Sequence, residues 1–112
     1  MQVSSEDSLS LLSKWQTEST PVSIVFVSTE GVSFSFSGIV AEVTSTGIVV
    51  QSPGTCEFII DLDGVANWEY EDSREAPSHR KEFASTVVSL LGVTFKTGGR
   101  CSITERKTQR FT

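Results

Sequence analysis

The stretch that decides the fold is Val32-Ser33-Phe34-Ser35-Phe36-Ser37-Gly38-Ile39-Val40-Ala41-Glu42-Val43-Thr44. Before Gly38, apolar residues alternate with serines, which is the period of two that a strand with one buried face shows. After Gly38 the apolar set is displaced by one residue, to positions 39, 41 and 43. Such a displacement turns the later side chains to the other face unless a bulge or a sharp bend corrects it. We therefore predict one long strand over 32–44 that bends at Gly38, which makes this glycine critical for the fold.

Further strands follow on both sides of this stretch. Segment 22–27 is rich in β-branched and aromatic residues, and segments 48–51, 56–62 and 65–70 are separated by short turns that contain glycine. Asp61 and Asp63 flank the turn before the last of these strands. Two carboxylates are fewer oxygen ligands than Ca²⁺ or Mg²⁺ needs, so we predict a solvated turn there.

The first residues predict a helix. Ser4 and Ser5 can cap it, and Glu6 and Asp7 suit the positive end of its dipole. Thr20-Pro21 ends it, because the residue before a proline is disfavoured in helical geometry. Its apolar stripe, which we expect to pack on the strands, consists of Leu9, Leu11, Leu12 and Trp15.

The C-terminal third divides into a connection and a hairpin. Residues 71–82 are nearly all polar and include a proline, which indicates a surface connection in which His79 is solvated. Residues 83–112 predict a β-hairpin extension that packs on the same domain, with Thr97-Gly98-Gly99 as its turn. A helix over 82–91 is the rival interpretation, but Ser85-Thr86-Val87-Val88 forms helices poorly.

Composition excludes several classes of protein. The 112 residues suffice for one domain with its own core, and no apolar run reaches the length of a membrane helix. The net charge of −5 disfavours non-specific attraction to nucleic acid. No signal peptide is visible, so we expect a cytoplasmic protein whose two cysteines, Cys56 and Cys101, are free and buried. We find no metal cluster, catalytic pair or phosphate loop, and so expect neither a cofactor nor an enzyme.

The order of these elements resembles the Sm-like (LSm) family. The stretch 32–51, with Gly38 at the bend, looks like the first Sm motif, and 58–68 looks like a degenerate second motif. The resemblance implies a mainly β fold with an N-terminal α-helix and a five-stranded, strongly bent antiparallel Sm-like/SH3-like barrel over residues 1–70. The C-terminal hairpin lies outside this core and is similar to the tails of uncharacterised bacterial Sm-like proteins.

The loops depart from the pattern of the family's RNA-binding members. Those members place Asp and Asn where Ser45-Thr46-Gly47 stands here, and Arg-Gly or Lys-His where Asp61-Leu62-Asp63-Gly64 stands. Carboxylates at the second turn repel phosphate. We therefore expect the usual uridine pocket to be absent.

Three hypotheses about function follow. The first is a non-enzymatic scaffold or interaction module that forms a homo-oligomer, because the resemblance implies pairing of segment 56–62 with segment 65–70 of another subunit. Its candidate edge residues are Cys56, Phe58, Ile60, Val65 and Trp68. The second is a nucleic-acid-binding protein that uses the basic hairpin residues Lys96, Arg100, Arg106 and Lys107. The third is a small-molecule-binding barrel, which requires a concave apolar pocket with convergent polar groups.

Overall fold

A computed structural model describes residues 1–54, 56–72 and 87–106, without the side chains of Val87 and Arg106. One helix and eight strands follow one another along these residues. They are β1 (Gln2–Val3), α1 (Ser5–Thr17), β2 (Pro21–Val27), β3 (Ser33–Val43), β4 (Gly47–Gln51), β5 (Glu57–Asp61), β6 (Val65–Asp72), β7 (Val87–Phe95) and β8 (Arg100–Arg106). No helix within the described ranges is long and apolar enough to cross a membrane.

The helix begins as its sequence predicts. The Oγ of Ser4 accepts a hydrogen bond from the backbone N–H of Asp7 at 3.0 Å, so Ser4 is the N-cap. Leu12 and Trp15 are fully buried, and Leu9 and Leu11 pack against the core from the margins of the same face. The helix therefore owes its stability to the sheet on which its apolar stripe lies.

All eight strands join one antiparallel sheet in the order β1-β6-β7-β8-β2-β3-β4-β5. The mainly β class and the N-terminal helix are thus confirmed, whereas the five-stranded barrel is not: the described strands form an eight-stranded sheet that is not closed. The predicted hairpin is present as β7 and β8, with a turn over 96–99. It does not lie outside the other strands, because it is inserted between β6 and β2. Strand β6 also runs two residues further than predicted, to Asp72.

The predicted shift of side-chain parity in β3 is real but falls at a different residue. Val40 pairs with Val50 and Glu42 pairs with Val49, so Ala41 is the extra residue of a bulge. The bulge lets both Val40 and Val43 face the core, while Ile39 is exposed. The expectation that positions 39 and 41 are buried is therefore wrong, because the parity changes after Val40 and not at Gly38.

Gly38 occupies a place where the backbone leaves no room for a side chain. A Cβ atom on Gly38 would overlap the carbonyl oxygen of Gln51 and would lie 3.1 Å from the backbone nitrogen of Ser52. The end of β4 therefore passes directly over this residue. The bend assigned to Gly38 stays a prediction, and this close approach supports it.

The core lies on the concave face of the sheet, beneath α1. Its fully buried side chains come from the helix, from the inserted hairpin and from strands β2, β3 and β4. They include Trp15, Leu12, Ile24, Ile48, Leu91 and Ile103.

Candidate functional site

Strand β5 forms one edge of the sheet, and in the described part of the chain it pairs with β4 alone. The N–H of Leu62 donates to the carbonyl of Thr46, and the N–H of Ser52 donates to the carbonyl of Cys56. Hydrogen-bonded pairs alternate along an antiparallel ladder, so the even-numbered residues of this segment direct their backbone groups towards β4. The backbone N–H and C=O groups of Glu57, Ile59 and Asp61 consequently point away from β4, along the open edge.

The opposite edge of the sheet is partly covered. Val3 pairs with Trp68, and the N–H of Tyr70 donates to the carbonyl of Met1 at 2.8 Å. Residues 1–3 therefore take up the outward backbone groups of β6 at Trp68 and Tyr70. The short turn 62–64 connects β5 to β6, and the gap between these two strands is the seam at which the sheet stays open. On the β6 side of the seam, residues 1–3 cover the backbone groups, whereas no described residue covers those of β5.

The five predicted edge residues differ in what they expose. Cys56 is exposed, Phe58 and Ile60 are half-buried on the concave face, and Val65 packs at the margin of the core. The side chain of Trp68 belongs to the core and its outward backbone groups pair with Val3, so this residue offers neither to a further strand. The large hydrophobic side chain most exposed at the edge is one that the sequence analysis did not include: Ile59 is 78% exposed on the convex face.

An aromatic row crosses the concave face and reaches β5. Phe36 stacks on Phe58 with ring centroids 3.8 Å apart, and Phe34 stacks on Phe36 at 5.9 Å. Phe26 continues the row to Phe34 at 5.4 Å and to Phe95 at 6.1 Å. Phe34 is 50% exposed, so the helix leaves part of this row uncovered. The alternation of Phe34 and Phe36 is visible in the sequence, but contact with Phe58 depends on the curvature of the sheet.

The candidate basic residues that the structure describes lie at the two ends of strand β8. Lys96 and Arg100 are exposed at the β7–β8 turn. Arg106 lies at the other end of β8, and six residues of antiparallel strand span about 20 Å. Lys107 lies outside the described residues, as do His79 and the remaining residues of the polar connection after Asp72.

A cleft of about 750 Å³ opens beside Gly38, between the end of α1 and the β4–β5 loop. Its floor includes the buried residues Val22 and Val40, and its rim includes the amides of Gln16 and Gln51. None of the described residues that line it is charged. The Nε2 of Gln16 already donates to the carbonyl of Ala41 at 2.9 Å, and the Oγ of Ser52 donates to the carbonyl of Ser37 at 2.6 Å. These polar groups therefore join the elements around the cleft to one another.

A polar cluster lies at the end of the concave face beneath α1. Oε1 of Glu105 accepts hydrogen bonds from Nε1 of Trp15 at 3.3 Å and from Oγ of Ser89 at 3.2 Å. The hydroxyl of Tyr70 donates to Asp72 at 3.4 Å, and burial is the main reason why the pKa of Tyr70 is raised. Glu105 continues the inward alternation of Cys101 and Ile103, so this inward position could be read from the sequence once β8 was assigned.

The two cysteines have different environments. Cys56 is exposed, contrary to the expectation that both thiols are buried, because it precedes β5 in the β4–β5 loop. Cys101 is 1% exposed, and burial raises the pKa of its thiol to about 12. A protonated, enclosed thiol is a poor nucleophile and a poor metal ligand, so Cys101 acts as a core residue.

The described residues contain no group of three His, Cys, Asp or Glu side chains that could hold a metal ion. The open edge of β5 and the partly exposed aromatic row beside it lack a partner among the described residues. Comparison of the chain with models of protein families, with curated proteins and with solved structures gives no match.

Proposed function

We propose that this protein is a non-enzymatic interaction module that forms a homo-oligomer by pairing sheet edges, with an Sm-like arrangement of strands. The observation that carries the proposal is the edge of β5, where Ile59 is 78% exposed and no described strand takes up the outward backbone groups. A row of unpaired N–H and C=O groups attracts a further strand.

The composition of β5 supports association of a controlled kind. Glu57 and Asp61 stand on the convex face on either side of Ile59, and charged side chains are a common means of limiting indiscriminate strand pairing. An exposed isoleucine between two carboxylates favours a partner that offers an apolar contact and no further negative charge. A second copy of the chain meets both conditions only in a register that sets no carboxylate of one β5 opposite a carboxylate of the other.

The distribution of charge makes nucleic-acid binding the weaker alternative. Binding to phosphates depends on clustered cations, and β8 holds Arg100 and Arg106 about 20 Å apart. Carboxylates at Asp61 and Asp63 lie at the turn through which Sm-like proteins approach RNA. Titration with single-stranded RNA at low salt tests this alternative: salt-sensitive binding that Arg100→Glu abolishes would favour it over the scaffold.

Light scattering on the purified protein tests the proposal directly. We expect an oligomer that Ile59→Pro converts to monomer, because proline removes an N–H that points along the open edge and leaves the hydrogen bonds to β4 in place. Ile59→Thr is the matched control, since it keeps the N–H and the β-branched shape. We expect it to retain the oligomer.

Circular dichroism must show that both variants keep the fold. A wild-type protein that stays monomeric at high micromolar concentration would refute the proposal. An oligomer that survives Ile59→Pro unchanged would show that association uses another surface.

A further inference from the structure

We infer that two copies of this chain form a two-fold dimer in which β5 pairs antiparallel with β5 of the second copy and Phe58 lies at the axis. The inference rests on the proposed function and specifies its interface. It differs from head-to-tail pairing of β5 with β6, which leads to rings or filaments.

The covered edge of β6 argues against head-to-tail pairing. Residues 1–3 already bond to the outward backbone groups at Trp68 and Tyr70, so a strand that arrives there must first displace them. The edge of β5 needs no such displacement. Because a two-fold contact uses the same patch on both subunits, β5 alone is sufficient to build it.

The charges on β5 select the register. An axis through Glu57 or through Asp61 sets each of these acids against its own copy, and an axis through Ile59 sets Glu57 against Asp61. Like charges directly opposite one another destabilise a strand pair. An axis through Ile60 brings Glu57 opposite Asp63. Among axes at the five residues of β5, only the one through Phe58 sets Glu57 opposite Ile59 and leaves no acid of β5 facing another acid.

The aromatic row gives the same register an apolar contact. Odd-numbered residues supply the outward hydrogen bonds, so Phe58 occupies a non-hydrogen-bonded position, where Cα atoms approach to about 4.5 Å and side chains are closest. Phe58 is already stacked on Phe36. At the axis, Phe58 of one subunit meets Phe58 of the other, and the two aromatic rows become one continuous surface across the dimer.

Disulfide cross-linking tests the register without altering Phe58. In this dimer position 60 stands opposite Cys56 of the second copy, at a Cα separation of about 4.5 Å that a disulfide can bridge. Within one chain the two positions are four residues apart, about 13 Å, which is too far. We expect Ile60→Cys to convert most of the protein to a covalent dimer with oxidised glutathione, as seen on a non-reducing gel. Adding Cys56→Ser should abolish the cross-link.

The same pair of variants identifies the other arrangements. A cross-link that persists without Cys56 would place the axis at Ile60 and overturn the inference. Failure to cross-link, in a protein that light scattering shows to be oligomeric, would overturn the inference and leave the proposed function standing. A strict monomer would overturn both.

A spin label on Cys56 of the otherwise unaltered chain covers the case in which Ile60→Cys fails to fold. An axis at Phe58 places the two labelled Cα atoms about 14 Å apart, because four residues of antiparallel strand separate them. An axis at Ile60 separates them by eight residues, about 27 Å. Dipolar broadening at the shorter separation supports the inference, and its absence overturns it.

Discussion

Gly38 offers the sharpest test of how β3 and β4 meet. A methyl group on this residue would overlap the carbonyl oxygen of Gln51, with its carbon 2.8 Å from the carbonyl carbon. Two carbons pack best at about 3.5–4.0 Å, so Gly38→Ala requires the end of β4 to move by about 1 Å. The carbonyl oxygen and carbon of Gln51 cannot rotate away as a side chain could, because both atoms belong to the backbone.

The cost can be worked out from what this movement disturbs. It threatens the hydrogen bond from Oγ of Ser52 to the carbonyl of Ser37 and the one from N–H of Ser52 to the carbonyl of Cys56, each worth about 1 kcal/mol. Overpacking adds about 1–3 kcal/mol, and the entropic benefit of alanine over glycine returns about 0.5–1 kcal/mol. We therefore expect Gly38→Ala to lower the free energy of unfolding by about 3 kcal/mol, against a typical total of about 5–15 kcal/mol.

Urea unfolding followed by the fluorescence of the buried residues Trp15 and Trp68 measures this loss. Gly92→Ala is the matched control: it also lies in a strand, but its Cβ would meet nothing closer than 3.8 Å. We expect the control to stay within about 1 kcal/mol of the wild type. If both variants are equally stable, the close approach of Gln51 to Gly38 is refuted.

Two further predictions follow from burial and capping. Burial raises the pKa of Cys101 from 9.0 to about 12, so the folded chain keeps a proton that the unfolded chain loses, and stability should fall by up to about 1.4 kcal/mol per pH unit between those values. Cys101→Val should remove this part of the pH dependence, which urea unfolding of both proteins at pH 8 and pH 10 measures. If the variant loses as much stability between these pH values as the wild type does, another group is responsible. A thiol reagent should label only Cys56 in the native protein. Ser4→Ala removes the cap of α1 and should cost about 1 kcal/mol, and Ser4→Asp, which can accept the same hydrogen bond, should restore it.

The elements that the sequence predicts well are those defined by neighbouring residues. The cap at Ser4 and the stripe that ends at Trp15 act within a few turns of one helix, and the Gly98-Gly99 pair marks a turn whose Gly98 has a φ of +98°. The alternation of apolar and polar residues likewise predicts the ends of most strands to within two residues. These features need no knowledge of what the elements pack against.

The features that could not be predicted from the sequence depend on contacts between distant segments. A period of two is the same in a central and in an edge strand, so nothing local in β7 and β8 places them between β6 and β2. The pairing of Gln2 and Val3 with β6 is too short to leave a pattern. The bulge at Ala41 was misplaced because glycine is the usual residue for a shift of parity, and Gly38 stands three residues away.

The inserted hairpin also explains why the sheet has a seam. A five-stranded barrel closes when its last strand returns to its first, which here means β6 against β2. Strands β7 and β8 lie between β6 and β2 instead, so a barrel closed by pairing β5 with β6 would contain these two strands as well. Such a barrel is wider and needs more side chains to fill its interior. The chain supplies one helix, with Leu12 and Trp15, for one part of the concave face, and it leaves Phe34 half-exposed on another. Closing the seam would thus require interior volume that these side chains do not fill, so the backbone groups of β5 are available for a partner strand.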